Sequence, residues 1–238
     1  MTLTPAGPPP TDLRTVPLPA HMALGWALVL VTLALVGFIV PAADVKIGES
    51  YLIFFFHFPS AINCLNLFFF AGLASVYHLW RRTPGSDLWA ASAVEVGVLA
   101  CAVTLVTGSI WAKAAWGEWW VVSDPRLMSV AIMFLTYLGY LALRSAVEEP
   151  LKRARFSAVF GSIAMLNIFV VYFSVRIFPI ENHPMKVEMA HPAMRLTQWF
   201  GAGAFLVLYT ALWRLRFRLL RAHEEVERLD VEIAAVRP

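Results

Sequence analysis

Six long apolar runs separated by short polar links dominate the pattern of this chain. They are Met22 to Val40, Tyr51 to Trp80, Leu88 to about Ile110, Leu127 to Leu143, Phe156 to about Phe178 and Leu196 to Trp213. Each approaches or exceeds the roughly 20 apolar residues that a bilayer-spanning helix needs. The pattern predicts an all-α integral membrane protein with six transmembrane helices. Residues 1–21 are Pro-rich and polar and read as a disordered N-terminal segment. They do not resemble a cleaved signal peptide, because positive charge is sparse and the apolar run that follows is too long. The membrane domain is then 22–213, and 214–238 is a separate tail.

The tail has its own period. Leu212, Leu215, Leu219, Ala222, Val226, Leu229, Ile233 and Val236 alternate at spacings of three and four, with mostly charged residues between them. That is a heptad seam, and it predicts an amphipathic helix. A basic amphipathic helix can lie on a membrane surface. The acidic His223-Glu224-Glu225-Val226-Glu227 half argues against anionic lipid and for a helical partner.

Composition agrees with a membrane chain: 59% of residues are apolar and 15% charged, and mean hydropathy is +0.67. The pI near 9.0 does not point to nucleic acid, because the basic residues cluster between apolar runs, where they act as topology signals. With both termini on one side, that side receives Arg81, Arg82, Arg144, Lys152, Arg153, Arg155 and the arginines after Trp213. The excess of positive charge predicts an N-in, C-in topology with a cytoplasmic tail. Cys64 and Cys101 both fall inside apolar runs and form no C-x-x-C, so they read as buried packing residues.

The segment Trp111 to Arg126 carries four of the nine tryptophans, Trp111, Trp116, Trp119 and Trp120, together with Lys113, Glu118, Asp124 and Arg126. A single Trp at a helix end is an interface anchor. Four together predict a flat aromatic platform for a planar apolar ligand. Of the six histidines, His21, His78 and His223 fall on the cytoplasmic side and read as solvated, whereas His57, His183 and His191 fall outside. An ionisable group within a membrane helix is costly and marks a functional site. His57 is such a group, and Pro59 beside it frees the carbonyl of Phe55. Two neutral imidazoles can hold haem iron in six-coordination, so His57 and His183 beside an aromatic shelf suit a porphyrin. Zinc would need a further ligand from His191 or Asp124, at spacings unlike a zinc motif.

The motifs E-S-Y-L-I-F-F-F-H-F-P-S-A-I around His57 and T-G-S-I-W-A-K-A-A-W-G-E-W-W leading to D-P-R-L, with Y-F-S-V-R and H-P-A-M-R later, carry a resemblance. From about Met22 to Arg216 the chain resembles the CcmC family of the bacterial cytochrome c maturation machinery. The resemblance implies six transmembrane helices in the bacterial inner membrane, with the Trp-rich loop in the periplasm. It implies transient binding of haem b and its delivery to the haem chaperone CcmE. It also implies partnership with ATP-binding-cassette subunits and a small single-helix membrane subunit. Trp116, Gly117, Trp119 and Trp120 match the family's W-G-x-W-W. Asp124 and Arg126 match across one inserted residue, because the loop here ends V-V-S-D without a final Trp. The family's two flanking histidines match His57 and His183, with His191 as the alternative to His183. No hydrolase constellation or phosphate loop is present, and the chain reads as a haem carrier rather than an enzyme. The rivals are a haem-attaching cytochrome c synthetase of the related group, which would be larger, and a plain permease subunit with an aromatic belt.

Overall fold

The computed structural model describes residues 19–38, 49–178 and 192–236, and among these every element is helical. Helix α1 spans Ala20–Phe38, and a 3-10 turn at Glu49–Ile53 leads into α2, Phe54–Arg81. Then come α3, Pro84–Trp116, α4, Pro125–Ala146, α5, Pro150–Ala164, α6, Leu166–Ile177, and α7, Pro192–Val236. Because α5 and α6 form one candidate span interrupted at Met165, six rods are long and apolar enough to cross a membrane. The six-helix, all-α expectation holds.

Local chemistry explains the boundaries. Proline stands at the start of α3, α4 and α5, where its missing N–H costs no hydrogen bond. Helix α3 ends at Gly117, whose φ of 80° suits a residue without a Cβ, and the Gly117 N–H donates to the Lys113 carbonyl. Two expected boundaries move as a result. Helix α3 runs past Ile110 to Trp116, so Trp111 and Trp116 are helical and not part of a link. Helix α5 starts at Pro150 and not at Phe156, so Lys152, Arg153 and Arg155 form its first turns.

Helices α2 and α3 form the most extensive pair. They run antiparallel, with Phe68 against Gly97, Cys64 against Cys101 and His57 against Gly108. Small residues on α3 let the backbones approach: a Cβ at Gly97 would lie 2.7 Å from the Phe68 ring. On its other side Phe68 stacks on Tyr137 of α4 at 3.7 Å between centroids. Helix α7 crosses α1 at Gly25, close to the Leu208 backbone, and passes the proline of α2 at Gly201, beside the Phe55 carbonyl and Pro59. The Pro59 carbonyl in turn accepts from Asn63 Nδ2 at 2.8 Å. Both cysteines are buried, as expected.

Polar pairs close the end of the bundle that carries Arg81 and Arg82. Arg144 holds Asp87 with two hydrogen bonds of 2.7 and 2.6 Å, joining α4 to α3. Glu95, the single acid within the third apolar run, pairs with Arg216 of α7. His78 does not fit its reading as a solvated residue. It is 8% exposed, and its Nδ1 lies 2.9 Å from Ser86 Oγ and 3.2 Å from the Thr83 carbonyl, which fastens the α2–α3 turn.

Candidate functional site at the tryptophan end of the bundle

His57 sits on the first turn of α2, facing α3. Its Nδ1 lies 3.1 Å from the Thr104 carbonyl oxygen and 3.1 Å from Thr107 Oγ1. A carbonyl can only accept, so the bond to Thr104 requires the proton on Nδ1 and leaves the lone pair on Nε2. Among the described residues Nε2 has no hydrogen-bond partner. Imidazoles that ligate metals share this arrangement, in which one nitrogen is fixed by a carbonyl and the other is available.

Gly108 makes the arrangement possible. A Cβ built there would stand 2.9 Å from His57 Cε1 and 3.3 Å from Nδ1, so any side chain would push the ring off its two acceptors. Thr107 is itself held by the Val103 carbonyl at 2.7 Å, and Thr104 Oγ1 by the Ala100 carbonyl at 2.9 Å. The cradle is therefore built on one rigid stretch of α3. Sequence reasoning missed Thr104, Thr107 and Gly108. Their spacing puts them on one helix face, but that face gains meaning only once His57 is known to lie opposite.

The Trp-rich turn folds back on the same part of α3. Ser109, next to Gly108, donates its hydroxyl to the Trp119 carbonyl at 2.8 Å, and Lys113 Nζ donates to the Gly117 carbonyl at 2.7 Å. The turn and His57 are thereby tied to adjacent residues of one helix. Trp119 is 57% exposed, whereas Trp120 and Trp116 are half-buried. The single flat platform expected from the four tryptophans is not formed. Trp111 and Trp116 meet edge to face, 5.3 Å apart at 83°, because α3 continues through both of them. Trp119 and Trp120, beyond Gly117, remain outside that helical pair.

Asp124 ends the turn as the N-cap of α4. Its Oδ1 accepts from the N–H groups of Arg126 and Leu127 at 2.9 and 3.2 Å, and the side chain is fully buried. Its Oδ2 is buried without a partner among the described residues. Arg126 is close enough to Asp124 to feel its negative charge and to Arg176 of α6 to feel its positive one. Arg176 lies over the Tyr172 ring at 3.9 Å and donates to the Tyr172 carbonyl. Two arginines thus lie within electrostatic reach of each other at the tryptophan end. His183 and His191 lie outside the described residues. No cluster of three or more metal-ligating side chains occurs among the described residues.

Six membrane-length helices with an available imidazole and an aromatic turn at one end define a polytopic helical membrane protein with a candidate site for a planar ligand. Comparison with known proteins gives the family. The family described as CcmC, heme exporter protein C, matches residues 10–237. A heme exporter protein C of Paracoccus denitrificans is 40% identical over 200 residues, covering 82% of this chain and 82% of the relative. The protein of the same name from Rhodobacter capsulatus is 30% identical, covering 87% and 92%. That of Escherichia coli K12 is 28% identical, covering 84% and 82%. The chain belongs to the heme exporter protein C family, and these three relatives are named as exporters and not as enzymes.

Proposed function

We propose that this chain is the haem-binding membrane subunit of a bacterial cytochrome c maturation system. It takes up haem b at the periplasmic face of the inner membrane and delivers it to the haem chaperone CcmE. It works alongside ATP-binding-cassette subunits and a small single-helix membrane subunit. Family membership supports the class, and the observation that carries the site is His57, with Nδ1 bonded to a carbonyl and Nε2 available.

In this reading His57 and His183 are the two axial ligands to the haem iron. Trp116, Trp119 and Trp120 contact the porphyrin, and Gly117 sets the turn that presents them. Asp124 anchors that turn to α4, while Arg126, with Arg176 beside it, supplies positive charge for the propionates. The chain makes and breaks no covalent bond. Thr104 and Thr107 fix the tautomer and angle of His57, so the iron is offered one preoriented nitrogen. Two imidazoles without a covalent thioether hold haem reversibly, which suits a carrier that must release it to a partner.

Purification from detergent followed by an absorbance scan tests the proposal. A six-coordinate haem spectrum that passes to added CcmE supports it. A protein that takes up no haem and shows no Soret band on haem titration refutes it and favours the permease reading.

A further inference from the structure

Helix α7 does not stop at the bundle. It continues as one helix to Val236, and its end is acidic: residues 222–236 hold Glu224, Glu225, Glu227, Asp230 and Glu232 against Arg228 alone. In heptad terms Leu219, Val226 and Ile233 occupy a, and Leu215, Ala222 and Leu229 occupy d. The opposite side of the helix faces the protein's own bundle. Trp213 Nε1 donates to Ser92 and to the Trp89 carbonyl, Phe217 stacks on Trp89 at 4.2 Å, and Arg216 pairs with Glu95. Farther along, Glu224 at an f position is half-buried near the Asp87–Arg144 pair, close enough to feel the Asp87 carboxylate as well as Arg144 and Arg153. Leu212, the first a residue, still packs on the bundle core, whereas from Leu219 the a/d seam is exposed, and residues 225–235 project beyond the bundle with every side exposed. Leu219 is 52% exposed, Val226 55%, Leu229 44% and Ile233 52%.

The residues flanking that seam select its occupant. From His223 onwards the e and g positions are His223, Glu225, Asp230 and Glu232. Arg228 pairs within the tail with Glu225 and Glu232, and it leaves the acidic excess in place. Two copies of the chain inserted the same way would bring their tails together in parallel. Glu225 of each copy would then oppose Asp230 of the other, a like-charge contact at the g–e' position that sets partner choice. Anionic headgroups would be repelled by the same carboxylates. β-branched Val226 and Ile233 at a with Leu229 at d nevertheless favour a two-stranded pairing. An apolar seam bordered by acids is complementary to one bordered by bases.

We propose that residues 219–233 of α7 are a docking seam for an amphipathic helix of a different protein, one whose apolar stripe is flanked by Lys and Arg. The inference rests on the tail alone and is independent of the haem reading.

Two fluorescent synthetic peptides of about four heptads test it. Both carry the same Leu/Ile seam, one with Lys and the other with Glu at every e and g position. Each is titrated by anisotropy into the detergent-solubilised full chain. The Lys peptide should bind roughly tenfold or more tighter than the Glu peptide, and its binding should weaken as salt rises. Leu229→Asp with Ile233→Asp should abolish that binding. Because this pair could also unwind the tail, a second variant keeps the seam and reverses its borders. Glu225→Lys with Asp230→Lys and Glu232→Lys should invert the preference in favour of the Glu peptide. Equal binding of both peptides, an unchanged preference in the reversed variant, or a tail-dependent dimer of the wild-type chain would each overturn the proposal.

Discussion

Replacing Gly108 with alanine perturbs the candidate site without replacing any residue proposed to meet the ligand. The new Cβ would stand 2.9 Å from His57 Cε1, where ordinary contact begins at 3.4 Å, so the ring must retreat by about 0.5 Å. Both acceptors of Nδ1 are already at 3.1 Å, and a retreat of that size takes them out of hydrogen-bond range. Two neutral hydrogen bonds at about 1 kcal/mol each set the loss at about 1–2 kcal/mol. With about 1.4 kcal/mol per decade, haem affinity should fall by roughly tenfold. That lies at the lower edge of the roughly 10–100-fold found when a metal ligand loses its supporting partner. Alanine favours a helix over glycine by about 1 kcal/mol, so weakened binding would not reflect a weakened α3. The assay is haem titration of the purified protein followed at the Soret band, with Gly203→Ala as control, since a Cβ at Gly203 meets nothing within 4 Å. Wild-type affinity and spectrum in Gly108→Ala would refute the role given to the Thr104–Thr107 cradle.

Asp124→Ala should lower the unfolding midpoint through loss of the α4 cap, worth about 1 kcal/mol, whereas Asp124→Ser should retain most of it; thermal unfolding in detergent checks both. If Asp124 serves haem only through this cap, Asp124→Ser should also keep haem affinity. Arg144→Met leaves the Asp87 carboxylate buried and uncompensated, and should destabilise the fold by about 3 kcal/mol with little change in the haem spectrum of the folded fraction. Reporters active only in the periplasm should work when fused near Ser123 and fail near Gly85 or Lys152. Activity at Gly85 would reverse the topology inferred from the arginines.

The six spans were legible in the sequence, as were the place of His57 within the second of them and of the tryptophans at one end of the third, because each rests on composition within one stretch. What was not legible depends on pairing between stretches. Thr104, Thr107 and Gly108 are unremarkable in an apolar helix until the antiparallel register of α2 and α3 sets them against His57. His78 looked solvated because Arg81 and Arg82 follow it, yet the tight turn brings Ser86 back to cover it. The end of α3 lies at Trp116, beyond the apolar run that closes at Ile110, because the helix continues through Trp111 and Trp116 despite Lys113 between them. Gly117 was the local stop signal, and its place after Trp116 carried the correct boundary. The flat platform failed for the same reason, since a helix running through Trp111 and Trp116 turns their rings against each other.

The most direct test of the account is the haem spectrum of His57→Gly with and without added imidazole. The account predicts loss of the six-coordinate spectrum, a shifted Soret band from the remaining ligand, and recovery of much of the native spectrum when imidazole occupies the vacated space beside Gly108. A His57→Gly protein whose haem content and Soret band match the wild type would contradict it, because the iron would then be held without the imidazole that Thr104 and Thr107 orient.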